Sequence, residues 1–127
     1  MQILVIEDSD SIARMIEALV EGRGHFVRTV ATGAQGVNLA LDDTPDVVLL
    51  DWSVDGPVSG ADLCARLRRE PSTRETPIIA LGEADEDAKS KALDVGVHAY
   101  YTKPFSPLAL LKEIEALQSR SSPRIRV

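Results

Sequence analysis

Four residues carry the chemistry that this sequence offers: Glu7 and its neighbour Asp8, Asp51, and Lys103. Each follows a short, largely apolar stretch. Ile3-Leu4-Val5-Ile6 runs into Glu7-Asp8, Val47-Val48-Leu49-Leu50 into Asp51, and His98 to Thr102 into Lys103. Carboxylates brought together repel one another, and at least one pKa rises unless something neutralises them. A hard divalent cation with oxygen ligands does so, and an incomplete protein cage suits Mg²⁺ with its remaining waters. An ammonium at the same place can pair with the acids or meet a phosphoryl group. Asp51 would then be the nucleophile, a carboxylate of the kind that forms an aspartyl phosphate. As an exposed strand-end carboxylate in a charge cluster it adds repulsion, so Asp51→Asn should slightly stabilise the metal-free domain. Singly, each residue has a plainer reading. Asp51 can begin a turn, Glu7-Asp8 can complement a helix dipole, and Lys103-Pro104 can be a strand exit. Two adjacent acids, a third acid and a lysine on three strand ends are harder to dismiss together.

The elements that must position them alternate along the chain. Apolar runs of four or five residues, bounded by polar and turn residues, read as strands buried on both faces. Those at 3–6 and 47–50 are of this kind, and further strands fall at 26–30, where Arg28 suggests an edge position, at 78–81 and at 98–102. Between them lie helical patterns. Ile12, Met15, Ile16, Leu19 and Val20 form one apolar face, after Ser9 or Asp8 as cap, and Gly22 and Gly24 end that helix. Helices follow over 33–41, with Val37 and Ala40 inward, and over 60–70, with Leu63, Cys64 and Leu67 inward. The helix over 84–95 has only a thin stripe, Ala88, Ala92 and Val95, and should be the least anchored. The last helix starts at Pro107 after Ser106 as cap, with Leu108, Leu111, Ile114 and Leu117 inward. Five strands alternating with five helices specify a parallel sheet with helices on both faces. In the order 2-1-3-4-5, strands one and three are neighbours at the switch point, and Glu7, Asp8 and Asp51 meet at one edge.

With 127 residues and 44% hydrophobic content the chain is one domain with a real core. No apolar run approaches the ~20 residues of a membrane span, and the N-terminus lacks the basic start of a signal peptide. These features point to the cytoplasm. The single cysteine excludes an internal disulfide and a cysteine-based zinc site. Residues 1–118, the expected domain, hold 11 basic and 20 acidic residues, a balance of −9, because three arginines lie in 119–127, a polar tail or linker start. So acidic a surface repels nucleic acid rather than binding it.

The motifs Ile-Leu-Val-Ile-Glu-Asp at 3–8, Pro-Asp-Val-Val-Leu-Leu-Asp at 45–51, Pro-Ile-Ile-Ala-Leu at 77–81, Ala-Leu-Asp-Val-Gly-Val at 92–97 and Tyr-Tyr-Thr-Lys-Pro-Phe at 100–105 occur in order. With them the chain, from Ile3 to about Gln118, resembles the receiver domain of two-component response regulators. The resemblance implies a doubly wound, flavodoxin-like, three-layer α/β/α fold. It implies that Asp51 accepts a phosphoryl group from a histidine kinase or histidine phosphotransfer protein. Glu7, Asp8, Asp51 and the backbone carbonyl of Ser53 would hold Mg²⁺, and Lys103 would contact the phosphoryl group. The Lys103-Pro104 bond would be cis, and Tyr100 would be the switch aromatic. Such a module is a phosphoacceptor rather than a turnover enzyme, and it acts through a downstream protein partner or a fused output domain.

Two departures from the family pattern matter. Gly82 stands where the family has a Thr or Ser that bonds the phosphoryl group, so nothing obvious draws Tyr100 inward, and the switch should respond weakly. The loop after Asp51, with Val54-Asp55-Gly56-Pro57, is one residue longer than usual, placing Gly60 nine after the aspartate. The missing hydroxyl favours a rival reading: a pseudo-receiver, a protein-interaction module that acts without phosphorylation. A haloacid dehalogenase-type phosphatase would want a second aspartate at Ser53, and a flavodoxin would want a phosphate loop after the first strand.

Overall fold

The computed structural model describes residues 1–54 and 56–121. The strands are β1 (Gln2–Ile6), β2 (Phe26–Val30), β3 (Val47–Asp51), β4 (Ile78–Gly82) and β5 (Ala99–Thr102). The helices are α1 (Asp10–Glu21), α2 (Gly33–Asp42), α3 (Gly60–Arg69), α4 (Glu86–Asp94) and α5 (Pro107–Ser121). All strands pair in parallel, in the order β2-β1-β3-β4-β5. The doubly wound three-layer α/β/α arrangement read from the sequence is the one observed.

Side-chain alternation along the strands divides the core in two. Leu4, Ile6, Val48, Leu50, Ile78 and Ala80 meet Val37 and Ala40 of α2, Leu63, Cys64 and Leu67 of α3, and Ala92 of α4. Ile3, Val5, Val47, Leu49, Ile79 and Leu81 meet Ile16 and Val20 of α1 and Leu110, Ile114 and Leu117 of α5. β3 and β4 are buried throughout, which is why they read as unbroken apolar runs, while edge strand β2 alternates with solvent.

Several boundaries differ from the periodicity. α4 starts at Glu86 rather than Ala84, because the Asp85 carboxylate caps it by accepting from the N–H groups of Asp87 and Ala88. Ala92 is its only buried residue. In α5 the expected inward Leu108 is exposed and Leu110 is fully buried instead. Leu108 sits in the first turn, whereas Leu110, Ile114 and Leu117 carry the face turned to the sheet. The polar tail expected from 119 overlaps the end of α5 and otherwise lies outside the described residues. Among the described residues, no helix is long and apolar enough to cross a membrane.

The loops at the lower edge of β4 and β5 are tied by one side chain. The Arg68 guanidinium donates to the carbonyls of Thr73, Arg74, Thr76 and Gly96, the shortest bond being 2.7 Å. A planar fork satisfies several carbonyls at once where a lysine cannot.

Candidate functional site

The carboxyl ends of β1, β3 and β5 converge. Glu7 directly follows β1, held by its N–H to the Val30 carbonyl at 2.9 Å. Ser9 then caps α1 by accepting from the Ile12 N–H. Asp51 is the last residue of β3 and pairs in register with Leu81 of β4. Lys103 follows β5, its N–H donating to the Gly82 carbonyl at 2.7 Å.

The sequence-predicted acids and lysine meet. One carboxylate oxygen from each of Glu7, Asp8 and Asp51 lies within 4.8 Å of the others. The Lys103 ammonium sits 3.3 Å from Glu7 Oε1 and 3.3 Å from Asp51 Oδ1. Asp8 is exposed, while Glu7 and Asp51 are 3% and 2% exposed. Asp51 is therefore not the exposed carboxylate that a strand-end position suggested. Its Oδ1 accepts from the Ser53 hydroxyl at 2.8 Å and the Ser53 N–H at 3.1 Å. With Lys103, three groups converge on Oδ1, and among the described residues no hydrogen bond reaches Oδ2. The sequence reading assigned Ser53 only a backbone carbonyl and missed its hydroxyl. The signal for it was an Asp-x-Ser spacing, in which an aspartate side chain bonds groups two residues on.

These contacts split the two buried acids. Burial alone raises Asp51, but the Ser53 hydroxyl and N–H and the Lys103 charge outweigh it and hold the carboxyl below its ordinary range. Burial first, then the charge of Asp51, pushes Glu7 above the ordinary glutamate range. Burial works against the Lys103 charge, yet Asp51 and Glu7 hold its pKa above the usual lysine value. The surroundings thus favour the Asp51 charge and oppose that of Glu7. The repulsion expected among the acids falls on Glu7, through the charge of Asp51.

The rim is built from Trp52, Gly82 and Tyr100. The Trp52 N–H donates to the Leu81 carbonyl at 2.8 Å. Its ring lies against the N-terminus of α3, where a Cβ on Gly60 would stand 3.0 Å from Cε3. Gly82 ends β4 and is buried. Tyr100, in register with Ala80, lies along the same face, and its hydroxyl donates to the Glu83 carbonyl at 2.7 Å. In contrast to the sequence reading, which found nothing to draw Tyr100 inward, the ring is half-buried against Gly82. The Lys103–Pro104 peptide is cis.

The model for the response regulator receiver domain matches residues 3–115. The phosphate regulon transcriptional regulatory protein PhoB of Pseudomonas aeruginosa is 37% identical over 122 residues, covering 95% of this chain and 53% of that protein. PhoB of Escherichia coli is 35% identical over 123 residues, covering 96% and 53%. The chain spans about half the length of these curated relatives. A putative response regulator from Chloroflexus aurantiacus superposes with a TM-score of 0.87 at 30% identity, covering 93% of this chain and 97% of that one. The receiver domain of a Pseudomonas aeruginosa sensor histidine kinase, solved with a magnesium ion coordinated in its active-site cleft, gives 0.83 at 29% identity, covering 91% and 95%.

Proposed function

This chain belongs to the response regulator receiver domain family, and from that premise we propose that Asp51 accepts a phosphoryl group from the phosphohistidine of a histidine kinase or histidine phosphotransfer protein. The observation that carries the reading is the treatment of the two Asp51 oxygens. Oδ1 is fixed by Ser53 and Lys103, and Oδ2 is left to react. In the transfer, the Asp51 oxygen attacks phosphorus in line with the P–N bond. That bond breaks, and the imidazole nitrogen keeps its electron pair and takes up a proton. Asp51 enters the step ionised because Ser53 and Lys103 favour its charge. The Lys103 ammonium then faces the charge that develops on the phosphoryl oxygens, a form of preorganised electrostatic stabilisation.

Glu7, Asp8, Asp51 and the Ser53 carbonyl would hold Mg²⁺. The donor set fits it: hard oxygen atoms only, in negative excess, with one acid open to solvent. When bound, the ion neutralises phosphoryl oxygens and relieves the repulsion on Glu7. The protein catalyses its own modification and turns over no external substrate. Its output passes to a protein partner or a fused domain, and the chemistry belongs to the cytoplasm.

The absence of a hydroxyl at Gly82 favours a second reading, in which the same surface works as an interaction module without phosphorylation. Acetyl phosphate with Mg²⁺, followed by intact-mass measurement, separates the two. The mass gain of one phosphoryl group, lost on hydroxylamine treatment, supports the phosphoacceptor. An unchanged mass at saturating donor leaves the interaction module.

A further inference from the structure

A buried glycine at the end of a strand leaves a side-chain-sized space, and here another residue fills it. A Cβ built on Gly82 would collide with the Tyr100 hydroxyl oxygen, and would lie 2.9 Å from Tyr100 Cζ and 3.2 Å from Trp52 Cβ. Real Cβ atoms do not approach heavy atoms so closely, so a side chain at 82 and this placement of Tyr100 exclude each other. The hydroxyl is satisfied, donating to the Glu83 carbonyl in the segment between β4 and α4. Swinging the ring out would uncover Gly82 and break that bond, and Gly82 has no side chain to take the ring's place. Two further bonds brace the same edge: Lys103 N–H to the Gly82 carbonyl, and Trp52 N–H to the Leu81 carbonyl.

We propose that Tyr100 is a built-in latch, which occupies the side-chain space of Gly82, pins the β4–α4 segment through Glu83, and keeps one arrangement of the α4–β5 edge whether or not Asp51 is modified. A modification shifts a conformational equilibrium only through contacts that differ between the two states. Gly82 presents no side chain that a group on Asp51 could pull on, and the inward position of Tyr100 is already taken. The inference extends the phosphoacceptor reading, but its first test does not depend on it.

The full chain is labelled in its tyrosine rings, with Tyr101→Phe to assign Tyr100, and observed by NMR. In the unmodified protein, Gly82→Ala should displace the Tyr100 ring resonances and the amides of residues 83–85. Unmoved ring resonances in that variant would overturn the latch. Should Gly82→Ala fold poorly, Tyr100→Phe removes only the bond to Glu83. Amide exchange at Asp85, whose N–H donates to the same Glu83 carbonyl, should then quicken at least severalfold, and unchanged exchange would overturn the proposal. Beryllofluoride with Mg²⁺ is then added to native protein and to Gly82→Thr. The expected result is a fluorine signal of bound beryllofluoride in both, with a Tyr100 ring shift in Gly82→Thr several times that in native protein. Equal, large shifts in both sink the latch. An absent bound-fluoride signal in native protein counts against the phosphoacceptor reading instead, and the Gly82→Ala and Tyr100→Phe results still decide the latch.

Discussion

The carboxyl edge of the sheet holds two neighbouring regions built on opposite terms. At β1 and β3, three carboxylates face one ammonium, and burial sets Glu7 against its own charge. That region is electrostatically unfinished, and a hard cation of the kind proposed above would complete it. At β4 and β5, the space beside Gly82 is filled by a phenol whose hydroxyl is satisfied. That region is already complete. A site can therefore retain its reactive groups while the structure that would transmit their change is closed by packing. Chemistry and response are separable because different forces hold them, charge in one and contact in the other.

The contrast is broken most completely at Asp51. Asp51→Asn should reduce acetyl phosphate labelling to background in intact-mass spectra while circular dichroism stays native. If label persists, the acceptor lies elsewhere, with Asp55 the next to substitute. Next in size is Lys103. Lys103→Ala should slow labelling about a hundredfold, the usual scale for one preorganised charge at a reacting group, with the rate followed by the same mass measurement. A rate within a factor of two of native would remove Lys103 from the chemistry. Asp8→Asn should weaken Mg²⁺ binding about tenfold, or ~1.4 kcal/mol, in calorimetry, and undiminished affinity would dismiss the proposed ligand set.

The smallest effect is a pH slope. The folded-state pKa of Glu7 is raised, so between the ordinary glutamate value and that raised value the folded chain binds more protons than the unfolded one. Stability then falls as pH rises through this window and is regained on acidification. In the absence of metal, thermal melts should show a gain on acidification through this window that is smaller in Glu7→Gln. Saturating Mg²⁺ should flatten the native slope. Identical slopes in native and Glu7→Gln protein would place the strain on another group.

Much of this was legible in the sequence, because strand burial and strand-end acids are local signals. Val47 to Leu50 is unbroken since β3 is covered on both faces, and that run alone sets Asp51 at a strand terminus. The family motifs then fix the order that brings Glu7 and Asp8 to it. What escaped depends on partners distant in the chain or on orientation within a turn. The residue that fills the space at Gly82 comes from β5, and only the pairing of Ala80 with Tyr100 reveals it. Leu108 and Leu110 are equally apolar, and which one is buried depends on where α5 docks. The Ser53 hydroxyl depends on how the turn after Asp51 directs it back to Oδ1.

Trp52 is the chain's single tryptophan, and it follows Asp51 directly in sequence. Its backbone is bonded to β4, its Cβ borders Gly82, and its ring rests on the start of α3. The chain therefore contains one indole, at the boundary between the charged region and the closed one. Its emission responds to the local electric field and to quenching, so cation loading next door can be read without a label, in a signal free of other indoles. Because the ring is pressed against Gly60, a change in its anisotropy would report motion of the α3 start itself rather than free rotation of the side chain.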